Sequence, residues 1–253
     1  MSRRPAAVRA LVLASLAVLL AGLLAGCAED ARAGRLERAP WLYADTPVAQ
    51  IREDAVAAMR DLASVHIAGN ATRDGEVLRM DLAVSGSTCE GTIELAGSGQ
   101  VRIRVVDGTT YFKADEEFWV SQGGAEAGAA ARDLVGDRWA TNSDEPDTSL
   151  QEMCDIEGLM ADLGVADVAD DDDTVVGTTE IDGIEVLKIA ITDDSDGGHG
   201  HVYVAAAAPH HLVKMDMPGE STVVFNRFDE EVEVEAPAAA DVFDFGGLGR
   251  RTT

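Results

Sequence analysis

The first regular pattern of apolar residues along this chain has the spacing of a helix. Thr46 suits the N-cap of that helix and Pro47 its first helical position, and the helix is predicted to end near Ser64. Its apolar stripe recurs every three or four residues and consists of Ile51, Ala55, Met59 and Leu62.

From Val65 onward the apolar period changes to two, which is typical of strands with one apolar and one polar face. Residues 78–84 and 101–105 alternate in this way, and turn-forming pairs such as Asp107-Gly108 separate the alternating stretches. The pattern predicts an antiparallel meander of about five strands from Val65 to Val120.

The middle of the chain returns to helical spacing. Residues 125–140 are rich in alanine and are predicted to be helical. A further helix is predicted to begin at Asp147 or Thr148 and to end at Gly164. Its apolar stripe consists of Met153, Ile156, Met160 and Leu163.

A second β block follows the acidic run 170–173, which we interpret as a solvated linker. The complete pattern predicts an α+β fold, with a strongly curved antiparallel sheet of about 10–11 strands and helices packed on its concave face. The strands of this block are predicted at 174–181, 184–192, 199–206, 210–217 and 221–228, with Val232 and Val234 extending the sheet.

The chain begins with the pattern of an export signal, since three arginines precede an uncharged apolar run. The run ends at Leu24-Ala25-Gly26-Cys27, which resembles the lipobox of bacterial lipoproteins and predicts lipidation of Cys27. The alternative is an uncleaved anchor with a chance cysteine. Either interpretation places the rest of the chain outside the cytoplasm, and the first predicts a lipid anchor in the cell membrane. The predicted organisation is a signal peptide (1–26), a flexible tether (27–45), one domain (46–245) and a disordered tail (246–253).

The chain is strongly acidic, with a formal net charge of −26. Residues 1–26 hold three of the 20 basic residues and none of the 46 acidic ones, so their removal leaves a net charge of −29. Such a surface repels nucleic-acid phosphates and anionic headgroups, and this argues against nucleic acid as a partner. Attachment to the membrane is therefore assigned to the lipid on Cys27.

Cys89 and Cys154 remain after Cys27. In an oxidising compartment such a pair favours a disulfide over two free thiols. The bond would join a strand to the helix predicted to end at Gly164, and neither cysteine has the Cys-x-x-Cys spacing of a redox site.

Four of the five histidines lie between Gly197 and Met217, which raises the question of a metal site. In a hairpin whose loop is residues 206–209, His201 would pair with Lys214 and His199 with Asp216. One face would then carry Val202, Val204, Val213 and Met215, joined by His211. The histidines lie at both ends of this hairpin, too far apart to surround one ion, so we predict no metal site beyond weak surface binding.

Sequence motifs of catalysis are lacking. No G-x-S-x-G is present, and Gly97-Ser98-Gly99 precedes a strand rather than the helix that would bind a phosphate. We predict neither catalytic residues nor a cofactor.

Four stretches give the chain a family resemblance. They are the lipobox LAGC, the segment GSGQVRIRVVDGTTYFKADEEFW (97–119), the hairpin VVGTTEIDGIEVLKIAI (175–191), and HVYVAAAAPHHLVKM followed by VVFNRFDEEVEVEAPAAADVFD (201–244). Together they resemble the LppX/LprG-type lipoproteins of actinobacterial envelopes, which are related in fold to the LolA and LolB lipoprotein carriers.

The resemblance implies a half-barrel that encloses an apolar cavity and binds, or transfers, an acylated lipid or glycolipid. The alternative is a non-catalytic module that binds a protein partner of the cell envelope and no lipid. The cavity wall is predicted to consist of inward strand positions facing the two helices, namely Leu78, Met80, Leu82, Ile103, Val105, Leu187, Ile189, Val202 and Val204 together with Ile51, Met59, Met153 and Met160.

Overall fold

The computed structural model describes residues 43–73, 76–144, 151, 154–156, 158, 173–193, 198–217 and 221–246. Within them, neither α-helix is long and apolar enough to cross a membrane. The helices are α1 (Val48–Arg60) and α2 (Glu116–Val135), with a 3-10 turn at Ala239–Asp241. The strands are β1 (Ser64–Arg73), β2 (Glu76–Ser85), β3 (Thr88–Leu95), β4 (Gly99–Val106), β5 (Thr109–Ala114), β6 (Trp139–Thr141), β7 (Thr174–Ile181), β8 (Ile184–Asp193), β9 (Gly198–Ala205), β10 (Leu212–Met217), β11 (Ser221–Asn226) and β12 (Val242–Asp244).

Helix α1 buries three of the four residues of the predicted stripe, and it ends at Arg60, before Leu62 and before the predicted end near Ser64. Ile51, Ala55 and Met59 are all buried in the main core. The start of the helix differs from the prediction, because Pro47 has an extended ψ of 138° and is itself the N-cap, without a side-chain cap. The carbonyl of Pro47 accepts the first helical hydrogen bond, from the amide of Ile51 at 3.1 Å.

The folded part of the described chain reaches back beyond the predicted boundary at residue 46. Tyr43 is only 4% exposed and belongs to the main core, with Ala44 packed against it. The segment assigned to the tether therefore contributes an anchoring residue at its end.

Strands β1 to β5 form the predicted meander, each antiparallel to the next. Ile93 lies opposite Met80 on one side and Val101 on the other, and these three residues define what we call the inner face of the sheet. The outer face is charged, and Arg79 there lies 2.8 Å from Glu94 across β2 and β3. This division into an apolar and a charged face is the alternation that the sequence predicts.

All twelve strands belong to one curved sheet in the order β12-β6-β5-β4-β3-β2-β1-β11-β10-β9-β8-β7. The edge strands β12 and β7 do not pair with each other, so the sheet is open. It has more strands than the predicted 10–11, because two three-residue strands, β6 and β12, lie at one edge. These two are parallel, so the sheet is mixed rather than wholly antiparallel.

Helix α2 begins earlier than the sequence pattern predicts. Phe118, Trp119 and Val120 belong to its first turns and not to the end of a strand. The helix ends at Val135, so Trp139 lies in β6 instead of in the predicted helix. The early start of the helix is explained by its cap at Asp115, whose side chain accepts a hydrogen bond from the amide of Phe118 at 2.8 Å.

The two described helices pack in different hydrophobic clusters. Helix α1 shares the main core with inner-face residues of β1 to β4 and β8 to β11. Helix α2 instead packs Trp119 and Val135 against Ala140 in a separate cluster beside β6. The helix predicted to end at Gly164, with Met153 and Met160, lies outside the described residues apart from Gln151, Cys154–Ile156 and Gly158.

Residues 227–238, which we call the crossing segment, carry the chain from the middle of the sheet to its edge. At the start of the segment, the amide of Asp229 donates to the carbonyl of Ser64 at 3.0 Å. Further along, the guanidinium of Arg104 in β4 donates to the carbonyl of Glu235 at 3.2 Å. The segment therefore passes β1 and β4 before the chain adds β12 beside β6.

The crossing segment contains Val232 and Val234, which were predicted to extend the sheet. That prediction is wrong, since neither residue lies in a strand. The physical reason is that β11 already pairs with β1 on one side and β10 on the other, which leaves no edge for a further strand.

A disulfide joins Cys89 in β3 to Cys154, the pair that the cysteine count predicts. The two Cα atoms are 5.5 Å apart, and both cysteines are fully buried in the main core. The bond ties a segment 65 residues further along the chain to the inner face of the sheet.

Candidate functional site

A cavity of about 330 Å³ lies at the end of the inner face where β3 turns into β4. This volume is near the lower end of the range for ligand pockets, about 300–1,000 Å³. Most of its wall is hydrophobic, and it is lined by Leu78, Ile93, Leu95, Ser98, Gly99, Val101, Phe112, Phe118 and Gln122. We call it the apolar cavity.

The cap of α2 fixes the helical side of the apolar cavity. One carboxylate oxygen of Asp115 accepts from the amide of Phe118 at 2.8 Å, and the other accepts from the amide of Gln100 at 2.9 Å. The same carboxylate thus joins the helix start to β4. Gly99 lies at this junction with a φ of +88°, and a Cβ there would collide with the amide nitrogen of Phe118 and the carboxylate of Asp115.

Helix α2 is broken at Gly124, where φ is 77° and ψ is 171°. The part before the break supplies Phe118 and Gln122 to the apolar cavity. The part after the break packs closely against the backbone of the part before it, since a Cβ at Gly128 would lie 2.5 Å from the carbonyl oxygen of Trp119. Both parts of the helix contribute to the cluster beside β6, with Trp119 before the break and Val135 after it.

A polar pocket of about 280 Å³ adjoins the apolar cavity and shares Leu95 and Gly99 with it. Its ionisable lining residues in the described part of the chain are Glu94, Asp115 and Glu117, all of them acidic. A carboxylate or phosphate headgroup placed here would meet like charges. A ligand that enters the apolar cavity from this side is therefore expected to be uncharged or cationic at that end.

A third, smaller pocket of about 160 Å³ lies at the ends of β5 and β6 and shares Phe112 with the apolar cavity. We call it the hydroxyl pocket. Apart from Phe112, the residues that line it have hydroxyl or carboxamide side chains or no side chain. They are Gly108, Thr109, Thr110, Thr141, Asn142 and Ser143.

Most of the predicted cavity wall is part of the closed core. Leu78 lines the apolar cavity. Met153 and Met160 lie outside the described residues. The remaining predicted residues are buried in the main core: Ile51, Met59, Met80, Leu82, Ile103, Val105, Leu187, Ile189, Val202 and Val204.

Sequence reasoning missed most of the residues that do line the apolar cavity. Ile93, Leu95 and Val101 continue the inner-face alternation of strands that had been predicted, so their inward direction was available from the period. Phe118 could have been found from the run Asp115-Glu116-Glu117 before it, which is a helix start with acidic residues in its first turn.

The histidine-rich hairpin adopts a different register from the predicted one. Leu212 pairs with Val204, one residue away from the partner that a loop at 206–209 would give it. A β-bulge between Leu212 and Lys214 shifts the register by one more residue, so Lys214 pairs with Tyr203 and Asp216 with His201. The predicted pairing of His201 with Lys214 is therefore wrong.

The bulge also moves Val213 to the outer face. Leu212 takes its place in the main core, while Val213 packs with Val186, Tyr203 and Ala205 in a small outer cluster. His211 does not join the inner-face valines as predicted, but stacks on Phe228 with ring centroids 4.3 Å apart.

Cys27 and the predicted signal peptide lie outside the described residues. Across the described ranges, no three His, Cys, Asp or Glu side chains converge in a way that could hold a metal ion. His201 lies opposite Asp216, whose carboxylate is 2.9 Å from the ammonium of Lys214.

The groups with displaced pKa values lie away from the apolar cavity. Burial raises the pKa of Tyr43 and Tyr203 and lowers the pKa of His201 and His211. Burial also acts to raise the pKa of Asp216, but hydrogen bonds from Lys214, Thr222 and Tyr203 outweigh it, and the pKa is lowered. None of these residues lines the cavity.

Comparison with solved structures identifies the fold. The structure resembles LprF from Mycobacterium bovis with a TM-score of 0.51 and 17% sequence identity, over 77% of this chain and 99% of LprF. It also matches the lipoprotein LppX from Mycobacterium tuberculosis with a TM-score of 0.45 and 18% identity, over 74% of this chain and 98% of LppX. No family model and no curated protein matches the sequence. The chain therefore has the fold of LprF, the LppX/LprG-type fold that its sequence motifs predict.

Proposed function

We propose that this protein is an extracytoplasmic lipoprotein, anchored through a lipid on Cys27, that binds the acyl part of a lipid or glycolipid without chemically changing it. The observation that carries the proposal is the apolar cavity, whose hydrophobic wall spans four strands and the first turns of α2. Transfer of the bound lipid between membranes or carriers is a further step that this binding would permit.

The chemistry of the wall supports an acyl chain as the ligand. Leu78, Ile93, Val101, Phe112 and Phe118 offer dispersion contacts and no charge. Burial of each methylene group of a chain contributes about 0.8 kcal/mol, so a short stretch of chain would already bind measurably. The acidic neighbouring pocket favours a lipid whose headgroup is not anionic.

The proposed binding of a lipid can be tested with residues 28–253, which retain every described residue and lack the lipidation site Cys27. This chain would be purified from an extracytoplasmic compartment and examined by native mass spectrometry, before and after incubation with a monoacylglycerol. We expect a bound lipid in at least one of the two samples. A chain that carries no lipid and takes up none would favour the envelope module that binds a protein partner.

A variant that fills the apolar cavity tests whether the ligand binds there. Leu78→Trp places a large side chain in the cavity wall and should reduce monoacylglycerol binding at least tenfold, because the added ring occupies the space of the chain. Val176→Trp is the control, since Val176 is 54% exposed on β7 and lies outside the cavity. Equal binding by both variants would contradict the assignment of the ligand to this cavity.

A further inference from the structure

The hydroxyl pocket contains a buried hydroxyl group with no partner. Thr110 is 6% exposed, and its Oγ1 is the buried side-chain oxygen or nitrogen that lacks a hydrogen-bond partner within the described part of the chain. A buried hydroxyl that has left water without finding a partner is unfavourable. Such a group is expected to be satisfied by something that occupies the pocket.

Two of the neighbouring hydroxyls, those of Thr141 and Ser143, are already engaged. The hydroxyl of Thr141 donates to the carbonyl of Thr110 at 2.8 Å, and the hydroxyl of Ser143 donates to a carboxylate oxygen of Asp244 at 2.7 Å. Thr110 lines the pocket, and these contacts do not use its hydroxyl. Among the described residues, none that lines the pocket is ionisable, so a charged group would lose its hydration there without gaining a counter-ion from them.

The ring of Phe112 connects this pocket to the apolar cavity, since it lines both. Phe112 lies in β5 opposite Ile103, two residues from Thr110. An amphiphile with its chain in the apolar cavity could thus place an adjoining oxygen beside Thr110. The volume of about 160 Å³ corresponds to about five water-sized groups, which is enough for a small hydroxylated unit or an ester.

We propose that the hydroxyl pocket binds the uncharged, oxygen-bearing part of the lipid, a hydroxyl or ester group next to the acyl chain, through a hydrogen bond to Thr110. The proposal rests on the proposed function, because the chain of the same ligand occupies the apolar cavity. It assigns Thr110 a role in selecting among lipids of equal chain length.

The test compares two amphiphiles with similar chains and different head chemistry. Glycerol monolaurate carries hydroxyl and ester oxygens, and dodecyltrimethylammonium has no hydrogen-bonding group. Their dissociation constants are measured by calorimetry for the chain 28–253 and for Thr110→Val, which keeps the side-chain shape but removes the hydroxyl. The matched control is Thr179→Val, the same change at an exposed position of β7.

For Thr110→Val we expect glycerol monolaurate to bind about tenfold more weakly, the effect of one hydrogen bond, while dodecyltrimethylammonium binds unchanged. The midpoint of urea unfolding without ligand should stay the same or rise, since the variant removes an unsatisfied group. This second measurement separates lost recognition from lost folding. Thr179→Val should leave both affinities unchanged.

Two other outcomes overturn the proposal in different ways. If both amphiphiles bind and Thr110→Val alters neither affinity, the pocket holds only water, and the proposed lipid-binding function survives without this subsite. If neither amphiphile binds to the unaltered chain, both proposals fail together.

Discussion

Tyr43 stacks flat on His210, with ring centroids 3.7 Å apart and an angle of 8° between the planes. Its hydroxyl donates to Asp54 in α1 at 2.8 Å, and Gln50 donates to the other oxygen of the same carboxylate at 2.9 Å. One tyrosine thus joins the segment before α1, the helix itself and the loop between β9 and β10. His210 is fixed from the loop side as well, since its Nδ1 lies 2.9 Å from the carbonyl oxygen of Ala205.

Replacement of Tyr43 by phenylalanine should change how stability depends on alkaline pH. Burial is the main cause of the raised pKa of Tyr43, and the hydrogen bond to Asp54 adds to it. Above about pH 10 the unfolded tyrosine releases its proton while the folded one retains it, so the wild-type protein loses stability as the pH rises. The Tyr43→Phe variant has no phenol at this position and therefore lacks this pH-dependent loss of stability.

Urea unfolding between pH 8 and pH 11 measures the effect. At pH 8 the variant should be less stable by about 1 kcal/mol, because the hydrogen bond to Asp54 is gone. Toward pH 11 the gap between the two proteins should narrow. A gap that stays constant over this range would show that the proton on Tyr43 does not contribute.

At the scale of elements, α2 depends on the carboxylate of Asp115. This residue satisfies the amide of Phe118 at the helix start and the amide of Gln100 in β4. Glu116 and Glu117 place further negative charge in the first turn, where the helix dipole is favourable. The same cap holds Phe118 in the wall of the apolar cavity.

The Asp115→Ala variant should therefore lose both stability and ligand binding. Loss of an N-cap costs about 0.5–2 kcal/mol, and the effect here should be at the upper end because two amides lose their acceptor. Urea unfolding gives the stability change, and titration with glycerol monolaurate gives the affinity. The Asp115→Asn variant is the control, since it keeps an acceptor oxygen for Phe118 and should recover most of the stability. A stable Asp115→Ala protein with normal affinity would refute the role of the cap.

The hairpin of β9 and β10 shows why an element could be predicted while its register could not. Alternation and turn residues indicated both strands, but the β-bulge adds one residue that the alternation does not mark. Val213 and Leu212 are both apolar, so either could have faced the core. Packing on both faces of the sheet decided between them, with Leu212 in the main core and Val213 in the outer cluster.

The disulfide acts at the scale of the whole molecule, because it closes a loop between residues 65 positions apart. The chain-entropy treatment of such a loop gives about 4 kcal/mol of stabilisation. The double variant Cys89→Ala with Cys154→Ala should be less stable than the oxidised protein by about 2–5 kcal/mol. The wild-type protein reduced by a thiol should approach the stability of the double variant. A loss below about 1 kcal/mol would mean that the unfolded chain is already restrained near these cysteines.

Local spacing along the chain determined the helix α1, the five-strand meander, the strands of the second β block, the cysteine pair and the family resemblance. These features depend on residues a few positions apart, whose geometry in a helix or strand is the same in any protein. The lipobox at Cys27 is local in the same sense and stays a prediction, because residues 1–42 lie outside the described part of the chain.

Only the tertiary structure decided where the inner face leaves a void. Leu82, Ile103 and Leu187 have the same inward pattern as Leu78, yet they are fully buried in the core while Leu78 borders the apolar cavity. The difference depends on the summed volumes of side chains from strands far apart in sequence. The crossing segment and β12 were decided in the same way, by which strand edges remained free. Thr110 became a candidate binding residue only once two of its neighbours had used their own hydroxyls.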